Sequence, residues 1–297
     1  QNKTAGQYII SGSQNLLLMN SISQSLAGRV AIFNLLPFSL AELQHTSYIL
    51  PNYEDYILKG FYPRIYDLDF NAKEWLQDYI QTYVERDLRQ ILNVGDLGVF
   101  RQFLEICAGR VGQLINLSDI GNMIGVSYQT INRWLSVLET SFIIYTLRPY
   151  HHNYNKRIVK SPKLFFYDTG LACALLNLRH SDDLNRHFAK GALFENLIIS
   201  EVIKNQLNQN MSPKNYFWNV SGSHEIDLLI DSGGQILPIE IKSSRTINNH
   251  FFNSLQYFQD LSGVSPSHSY LIYGGDEVQK RSIANVLSWK NLDVIPL

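Results

Sequence analysis

Charged side chains inside an apolar β-hairpin constrain the fold of this 297-residue chain more than any other feature. Segments 225–230 and 235–241 are typical of strands, and the turn 231–234 (Asp-Ser-Gly-Gly) joins them. Side chains alternate along a strand, so Glu240 and Lys242 share one face. A suitable register would bring Asp227 beside them. Because isolated carboxylates are costly to bury, we expect these to face a wet or metal-filled cleft.

The segments around the hairpin predict a compact α/β domain over residues 187–297. A helix at 190–207 precedes it, and it carries Glu195 near its start. The remaining predicted elements are strands at 215–220, 269–273 and 293–296 and a helix at 248–261. Glu195 could then reach the end of the sheet that bears Asp227 and Glu240.

These four side chains suit phosphodiester hydrolysis. Asp227, Glu240 and Glu195 could hold Mg2+ or Mn2+, which stabilises charge on a phosphate and activates a bound water. Lys242 would orient that water and offset phosphate charge. The alternative is an edge strand with a solvated face, since Glu-x-Lys is common by chance. An intact fold that no longer cleaves also stays open.

Residues 113–180 predict a winged helix-turn-helix. A helix capped by Ser118 ends at Gly125, Ser127 caps a helix at 128–140, and strands at 142–147 and 163–167 form a hairpin wing. The net charge is only −1, so nucleic-acid binding needs a local basic patch. The candidate DNA contacts lie on the second helix and in the wing: Gln129, Thr130, Asn132, Arg133, Lys156, Arg157, Lys160 and Lys163. An interdomain or protein–protein role for the winged helix is the alternative.

The first 112 residues predict two further units. Strands at 7–12 and 29–35 around a helix at 14–26 cannot cover both faces of a sheet, so residues 1–50 are interpreted as the remnant of a larger α/β domain. The chain is therefore expected to be a fragment of a longer protein. Residues 51–112 predict a helical linker domain, with a loop over 51–69 and helices at 75–91 and 96–108.

Two lone cysteines, Cys107 and Cys173, lie in apolar helical contexts without His or Cys partners at ligand spacing. They predict free buried thiols in a reducing compartment. No run approaches the roughly 18 apolar residues of a membrane-spanning helix, and no signal sequence opens the chain. We therefore expect a cytoplasmic protein without a membrane partner.

Glu195, Asp227 and Glu240-x-Lys242 resemble the motif of the PD-(D/E)xK restriction-endonuclease-like superfamily. The whole chain resembles prokaryotic AAA-type ATPases that end in an uncharacterised nuclease-like domain. The segments that carry this second resemblance are 62–64, 79–87, 132–135, 156–163, 167–171 and 194–196. It implies an α/β multidomain protein: a P-loop ATPase remnant, a helical and winged middle, and a restriction-endonuclease-like C-terminal domain.

The resemblance implies that Ser11 and Ser13 end a sensor strand and that Arg29 faces the nucleotide or a neighbouring subunit. The sequence departs from the family because it contains no Gly-x-x-x-x-Gly-Lys-Ser/Thr loop to cradle phosphates. ATP binding and assembly into a homo-oligomer are therefore expected only of a full-length parent, and this chain is not expected to hydrolyse ATP. Asp168, which superficially imitates the missing metal-binding strand, is predicted to cap a helix at 170–178.

The sequence supports two hypotheses about function. In the first, the chain is the C-terminal part of an AAA-type ATPase that binds or cleaves nucleic acid through a metal-dependent nuclease-like domain. In the second, it is a non-catalytic DNA-binding or protein-interaction module that keeps an inactive nuclease-like fold.

Overall fold

The computed structural model describes residues 31–68, 70–87, 96–150, 161–220 and 224–297, with the backbone alone for 84–87. The helices are α1 Leu40–Gln44, α2 Tyr53–Lys59, α3 Pro63–Asp67, α4 Ala72–Tyr79, α5 Leu97–Gly109, α6 Leu117–Ile124, α7 Tyr128–Thr140, α8 Thr169–Leu175, α9 Ser181–Arg186, α10 Lys190–Asn208 and α11 Asn253–Ser262. A π-helix, Ile80–Asp87, continues α4, and short 3-10 turns lie at Asn249–Phe252, Pro266–His268 and Leu292–Val294. Across these ranges, no helix has both the length and the apolar character to cross a lipid bilayer.

The strands are β1 Ile144–Pro149, β2 Lys163–Phe166, β3 Asn215–Val220, β4 His224–Ser232, β5 Gln235–Lys242, β6 Tyr270–Tyr273, β7 Gln279–Lys280 and β8 Asn285–Ser288. They form one mixed sheet in the order β2-β1-β3-β4-β5-β6-β8-β7. The predicted hairpin β1–β2 is antiparallel, and β1 also runs parallel to β3, with Arg148 opposite Tyr216. The sheet therefore crosses the expected boundary between residues 180 and 187.

Helices cover the two faces of the C-terminal part of the sheet. Helix α10 contacts β5, and its apolar side belongs to the large core that also includes Leu237, Ile239 and Ile241. Helix α11 contacts β4 on the other face, where Leu255 and Phe258 pack in a smaller core. The protein is thus a mixed α/β structure, as the sequence predicts.

The predicted loop over 51–69 is wrong, because it contains α2 and α3. Tyr53, Tyr56 and Ile57 are buried at helical spacing. Gly60 and Pro63 do interrupt helices, but they do so at the helix ends. Gly60 ends α2 with φ +71, and Pro63 occupies the first turn of α3, where its missing N–H is harmless.

The described part of the predicted strand 29–35 is not a strand. Residues 31–35 form no regular element, and Phe33 and Leu35 are 72% and 94% exposed. The elements predicted at 7–12 and 14–26, and residues 88–91 of the predicted helix 75–91, lie outside the described residues. The thiols of Cys107 and Cys173 are free and buried, as predicted.

The two helices predicted for the helix-turn-helix are present as α6 and α7, with one correction to their boundaries. Gly125 ends α6 at φ +73, and the Ser127 side chain caps α7. The predicted cap Ser118 is wrong: Asn116 caps α6, because its side chain accepts the amide of Asp119 and starts the helix earlier. The strand after α7 begins at Ile144 rather than at residue 142.

The predicted terminal strand 293–296 is also wrong. Leu292–Val294 is a 3-10 turn, and its first residue, Leu292, and the residue after it, Ile295, are buried three positions apart. That spacing fits a turn rather than the period of two required by a strand. The last sheet strands, β7 and β8, come earlier in the chain.

Candidate functional site

A bulge in β4 aims Asp227 at the neighbouring strand. Tyr216 of β3 pairs with Leu229, and Trp218 pairs with Ile226, so β4 carries one more residue than β3 between these pairs. Bulges of this kind redirect a side chain and locally interrupt pairing. The Asp227 carboxylate accepts the backbone N–H of Ile241 at 2.7 Å. This bond lies beyond the last residue pair of the β4–β5 ladder, Leu228 with Ile239.

The returning strand brings Glu240 and Lys242 to Asp227. The turn that joins the strands has positive φ at Gly233 and Gly234, and the amide of Gly234 bonds to Asp231. Lys242 Nζ lies 2.5 Å from Glu240 Oε1 and 3.4 Å from Asp227 Oδ2. The Glu240 Oε2 atom is buried and has no hydrogen-bond partner among the described residues.

Helix α10 supplies Glu195, and the next residue positions it. The Asn196 side chain donates to the carbonyl of Phe166 and accepts the Phe166 amide, both at 2.7 Å. This two-way bond clamps α10 to β2. It places Glu195 beside Lys163, whose Nζ lies 3.2 Å from Glu195 Oε1.

Lys163 and Glu225 complete the group, and sequence reasoning had not placed either of them here. Lys163 Nζ also forms an ion pair with Glu225 Oε1. We call Glu195, Glu225, Asp227 and Glu240, with their partners Lys163 and Lys242, the carboxylate cluster. In the sequence, Lys163 is a charged residue in a predicted strand, and its carboxylate partners lie on other elements. They can be recognised as its partners only once the fold is known.

The sequence predicts that Lys163 contacts DNA, but the structure buries its side chain in the carboxylate cluster. Only 5% of the residue is exposed, so its ammonium is not available to a phosphate backbone. The physical reason is its position at the start of β2, from which it points into the carboxylate cluster.

Two carboxyl groups of the cluster, those of Glu195 and Glu240, have raised pKa values. Burial, together with the Asp227 charge, raises the pKa of Glu195 to about 8, although Lys163 opposes the change. Burial and Asp227 also raise the pKa of Glu240 well above its ordinary value, against the effect of Lys242.

The carboxylates of the cluster also shift the pKa values of Lys163 and Lys242. Burial lowers the pKa of each ammonium, but the carboxylates outweigh it and raise both: Glu195 is the largest contributor for Lys163, and Asp227 for Lys242. Four carboxyl groups face two ammoniums, so the cluster carries an excess of negative charge when all four are ionised. A divalent cation would remove that excess.

The donor set fits a hard divalent ion, but the ligands are not gathered around one point. Within the described ranges, no three Asp, Glu, His or Cys side chains are placed to hold a metal ion. The ammoniums of Lys163 and Lys242 take carboxylate oxygens that such an ion would need. The unpartnered Glu240 Oε2 remains open to a ligand.

The other predicted site residues are separate from the cluster. On α7, Gln129, Asn132 and Arg133 are exposed and Thr130 is half-buried, with its amide bonded to Ser127. The remaining predicted contacts lie outside the described residues: Lys156, Arg157, Lys160, Ser11, Ser13 and Arg29. Asp168 caps α8 through the amide of Leu171, as predicted.

Three family matches divide the chain. Residues 1–44 match an AAA domain. Residues 50–182 match a domain of unknown function designated DUF8612, and residues 190–292 match a domain of unknown function designated DUF4143. The matches to the AAA domain and DUF4143 point to an AAA-like ATPase family.

Curated relatives are uncharacterised proteins. One from Mycobacterium tuberculosis and one from Mycobacterium bovis are each 28% identical over 243 residues, which is 81% of this chain and 53% of theirs. One from Haemophilus influenzae is 23% identical over 265 residues, 85% of this chain and 63% of its own. The chain thus spans between half and two thirds of these relatives. No solved structure matches it significantly.

Proposed function

We propose that residues 187–297 form a nuclease-like domain of the PD-(D/E)xK type, in which Asp227, Glu240 and Glu195 hold Mg2+ or Mn2+. The observation that carries the proposal is the buried Glu240 Oε2 atom, which lacks a partner among the described residues. A buried carboxylate oxygen without a partner costs free energy, and a bound cation would remove that cost.

The residues have distinct roles in this proposal. The bulge of β4 and the Ile241 amide hold Asp227 in place, and Asn196 holds Glu195. Lys242 keeps a proton on Nζ and places positive charge beside Asp227 and Glu240, where a phosphate would approach. When bound, the cation supplies charge stabilisation and an activated water for phosphodiester hydrolysis.

The proposal for the longer parent protein is an AAA-type ATPase that acts on nucleic acid. The AAA match at residues 1–44 supports the ATPase part. DNA contact through Gln129, Thr130 and Arg133 is proposed because α7 is the second helix of a helix-turn-helix and exposes polar side chains. ATP, bound near Ser11, Ser13 and Arg29, and homo-oligomer formation belong to that parent.

The test is Mn2+ titration by calorimetry on the whole chain, with cleavage assays on single- and double-stranded DNA and RNA. We expect Mn2+ binding that Glu240→Gln weakens at least about tenfold, and cleavage that Lys242→Ala reduces about a hundredfold, the scale of one lost catalytic group. Glu105→Gln, an exposed glutamate on α5, is the matched control. Absence of divalent-ion binding by the unmodified chain overturns the proposal.

A second candidate is a non-catalytic module with an inert nuclease-like scaffold. The ion pairs of Lys163 with Glu195 and of Lys242 with Glu240 favour it, since they neutralise carboxylates without a metal. Salt-sensitive DNA binding without cleavage in Mg2+ or Mn2+ distinguishes this candidate from the first.

A further inference from the structure

We propose that Lys163 is a tethered cation that competes with the divalent ion for the carboxylate cluster, so that withdrawal of its ammonium opens the site. The inference rests on the proposed metal-dependent function. It assigns to the winged hairpin a part in controlling the C-terminal domain.

The position of Lys163 carries the first step. Its side chain is 7% exposed, and its Nζ pairs with both Glu195 and Glu225. The same atom lies 5.5 Å from the ring centre of Phe217, the β3 residue opposite the bulge that presents Asp227. The ammonium therefore occupies the space between α10 and the bulged strand.

The second step is competition for the same oxygens. A divalent ion prefers carboxylate oxygens, and Glu195 Oε1 is already taken by Lys163 at 3.2 Å. Two cations at one set of carboxylates repel each other, so binding of the ion and burial of the ammonium oppose each other. The free Glu240 Oε2 is then the first oxygen that an incoming ion can take.

The third step links Lys163 to the helix-turn-helix. The residues on either side of Lys163 form backbone hydrogen bonds with the segment 111–115. The Gly112 amide donates to the Leu164 carbonyl, the Leu164 amide donates to the Gln113 carbonyl, and the Ile115 amide donates to the Pro162 carbonyl. Asn116, the next residue, caps α6. A displacement of the helix-turn-helix therefore moves the backbone that holds Lys163.

The same segment also touches α10 at the cluster. A Cβ built on Gly112 would lie 3.3 Å from Ala192 Cβ and 3.5 Å from Glu195 Oε2. Gly112 itself has φ +73, so the tight approach and the backbone conformation both call for glycine. The segment thus packs directly against the helix turn that carries Glu195.

The experiment compares Mn2+ affinity by calorimetry in the whole unmodified chain, Lys163→Met, Lys163→Arg and Lys280→Met. Lys280 is an exposed lysine on β7 and serves as the control. We expect Lys163→Met to bind Mn2+ about tenfold more tightly, within the range usual for coupled sites, and the other two variants to match the unmodified chain. Equal or weaker Mn2+ binding by Lys163→Met overturns the competition while leaving the proposed function intact. Absence of Mn2+ binding by every variant overturns both.

A second measurement needs no substitution and so does not depend on a variant that folds. Brief acetylation of the unmodified protein, followed by peptide mass mapping, reports how accessible each lysine is. Saturating Mn2+ should raise the labelling of Lys163 several-fold and leave Lys280 unchanged. If Lys163 stays protected when Mn2+ is bound, the ammonium has not moved and the proposal is wrong.

Discussion

Asn196 holds two modules of the protein in register with a single amide group. It is fully buried, and both its donor and its acceptor pair with the backbone of Phe166 on β2, an edge strand of the sheet. Edge strands carry unpaired backbone groups, and here the Asn196 side chain satisfies the amide and the carbonyl of Phe166. Because Glu195 precedes Asn196 in the chain, these two hydrogen bonds also fix the position of Glu195.

We expect Asn196→Ala to lower the free energy of unfolding by about 2–3 kcal/mol, because it leaves a buried backbone donor and acceptor unpaired. Urea denaturation followed by circular dichroism measures this change. Asn208→Ala, on the exposed end of the same helix, should change stability by less than about 0.5 kcal/mol. A similar small effect at Asn196 contradicts the clamp.

The raised pKa of Glu195 predicts a pH-dependent stability. Its ordinary pKa is 4.5 and its pKa in the folded protein is about 8, so between these values the folded state holds a proton that the unfolded state has released. The free energy of unfolding should therefore fall as pH rises through this window, by at most about 1.4 kcal/mol per pH unit from this group, and level off above it.

Glu195→Gln should flatten that slope, and Glu105→Gln should retain it. Chemical denaturation at intervals from about pH 5 to about pH 9 gives both slopes. A variant at position 195 with the slope of the unmodified chain contradicts the assignment of this proton to Glu195.

At the residue scale, the site was only partly predictable from sequence. Strand alternation brings Glu240 and Lys242 together, and the Gly-Gly turn predicts the hairpin. The bulge that aims Asp227 depends on the register between β3 and β4, which the sequence leaves open. Lys163 was assigned to DNA contact, because its partners on α10 and β4 are distant in the chain and could not be identified before the fold was known.

At the element scale, one carboxylate joins the end of α2 to the start of α8. Asp168 Oδ1 accepts the Leu171 amide at 2.9 Å, and Oδ2 accepts the Phe61 amide at 2.6 Å. Gly60, which ends α2, has φ +71 and ψ −166, a region populated almost only by glycine. A Cβ at this position would overlap the Asp168 carboxylate.

Gly60→Ala should therefore destabilise the protein by about 3 kcal/mol, since it adds steric overlap to backbone strain. Gly233→Ala separates the two causes. Gly233 also has positive φ, but a Cβ there meets nothing within 4 Å, so about 1 kcal/mol is expected. Thermal unfolding of both variants measures the difference, and equal losses would show that Asp168 tolerates the added methyl group.

Helix boundaries were predicted well where both ends carry caps, as in α7. They were missed in α2 and α3, because Gly60 and Pro63 were interpreted as loop residues rather than as helix ends. The terminal turn at Leu292–Val294 was mistaken for a strand, since a short apolar segment fits either structure until its neighbours are known.

At the scale of the whole molecule, buried polar contacts connect regions that the sequence predicts as separate domains. Lys204 of α10 donates to the carbonyl of Phe38 at 2.8 Å, and Glu201 accepts the Leu40 amide at 2.5 Å. Both charged residues are 1% exposed. Together with the β1–β3 pairing, these contacts bind residues 38–40 and the β1–β2 hairpin to the C-terminal sheet.

This connectivity predicts that the helix pair α6–α7 and the C-terminal sheet unfold together. Trp134 reports on the former, where it packs against Phe100 and Phe103, and Trp289 reports on the latter, where it contacts Tyr53 and Tyr56. Two variants that each keep one of these tryptophans, with the others changed to Phe, should give urea transitions with coincident midpoints. Independent domains would instead give midpoints separated by more than about 0.5 M urea, which the slopes usual for small domains resolve readily. The Lys163 proposal depends on this outcome, because a hairpin that unfolds separately from α10 could not hold its ammonium against Glu195.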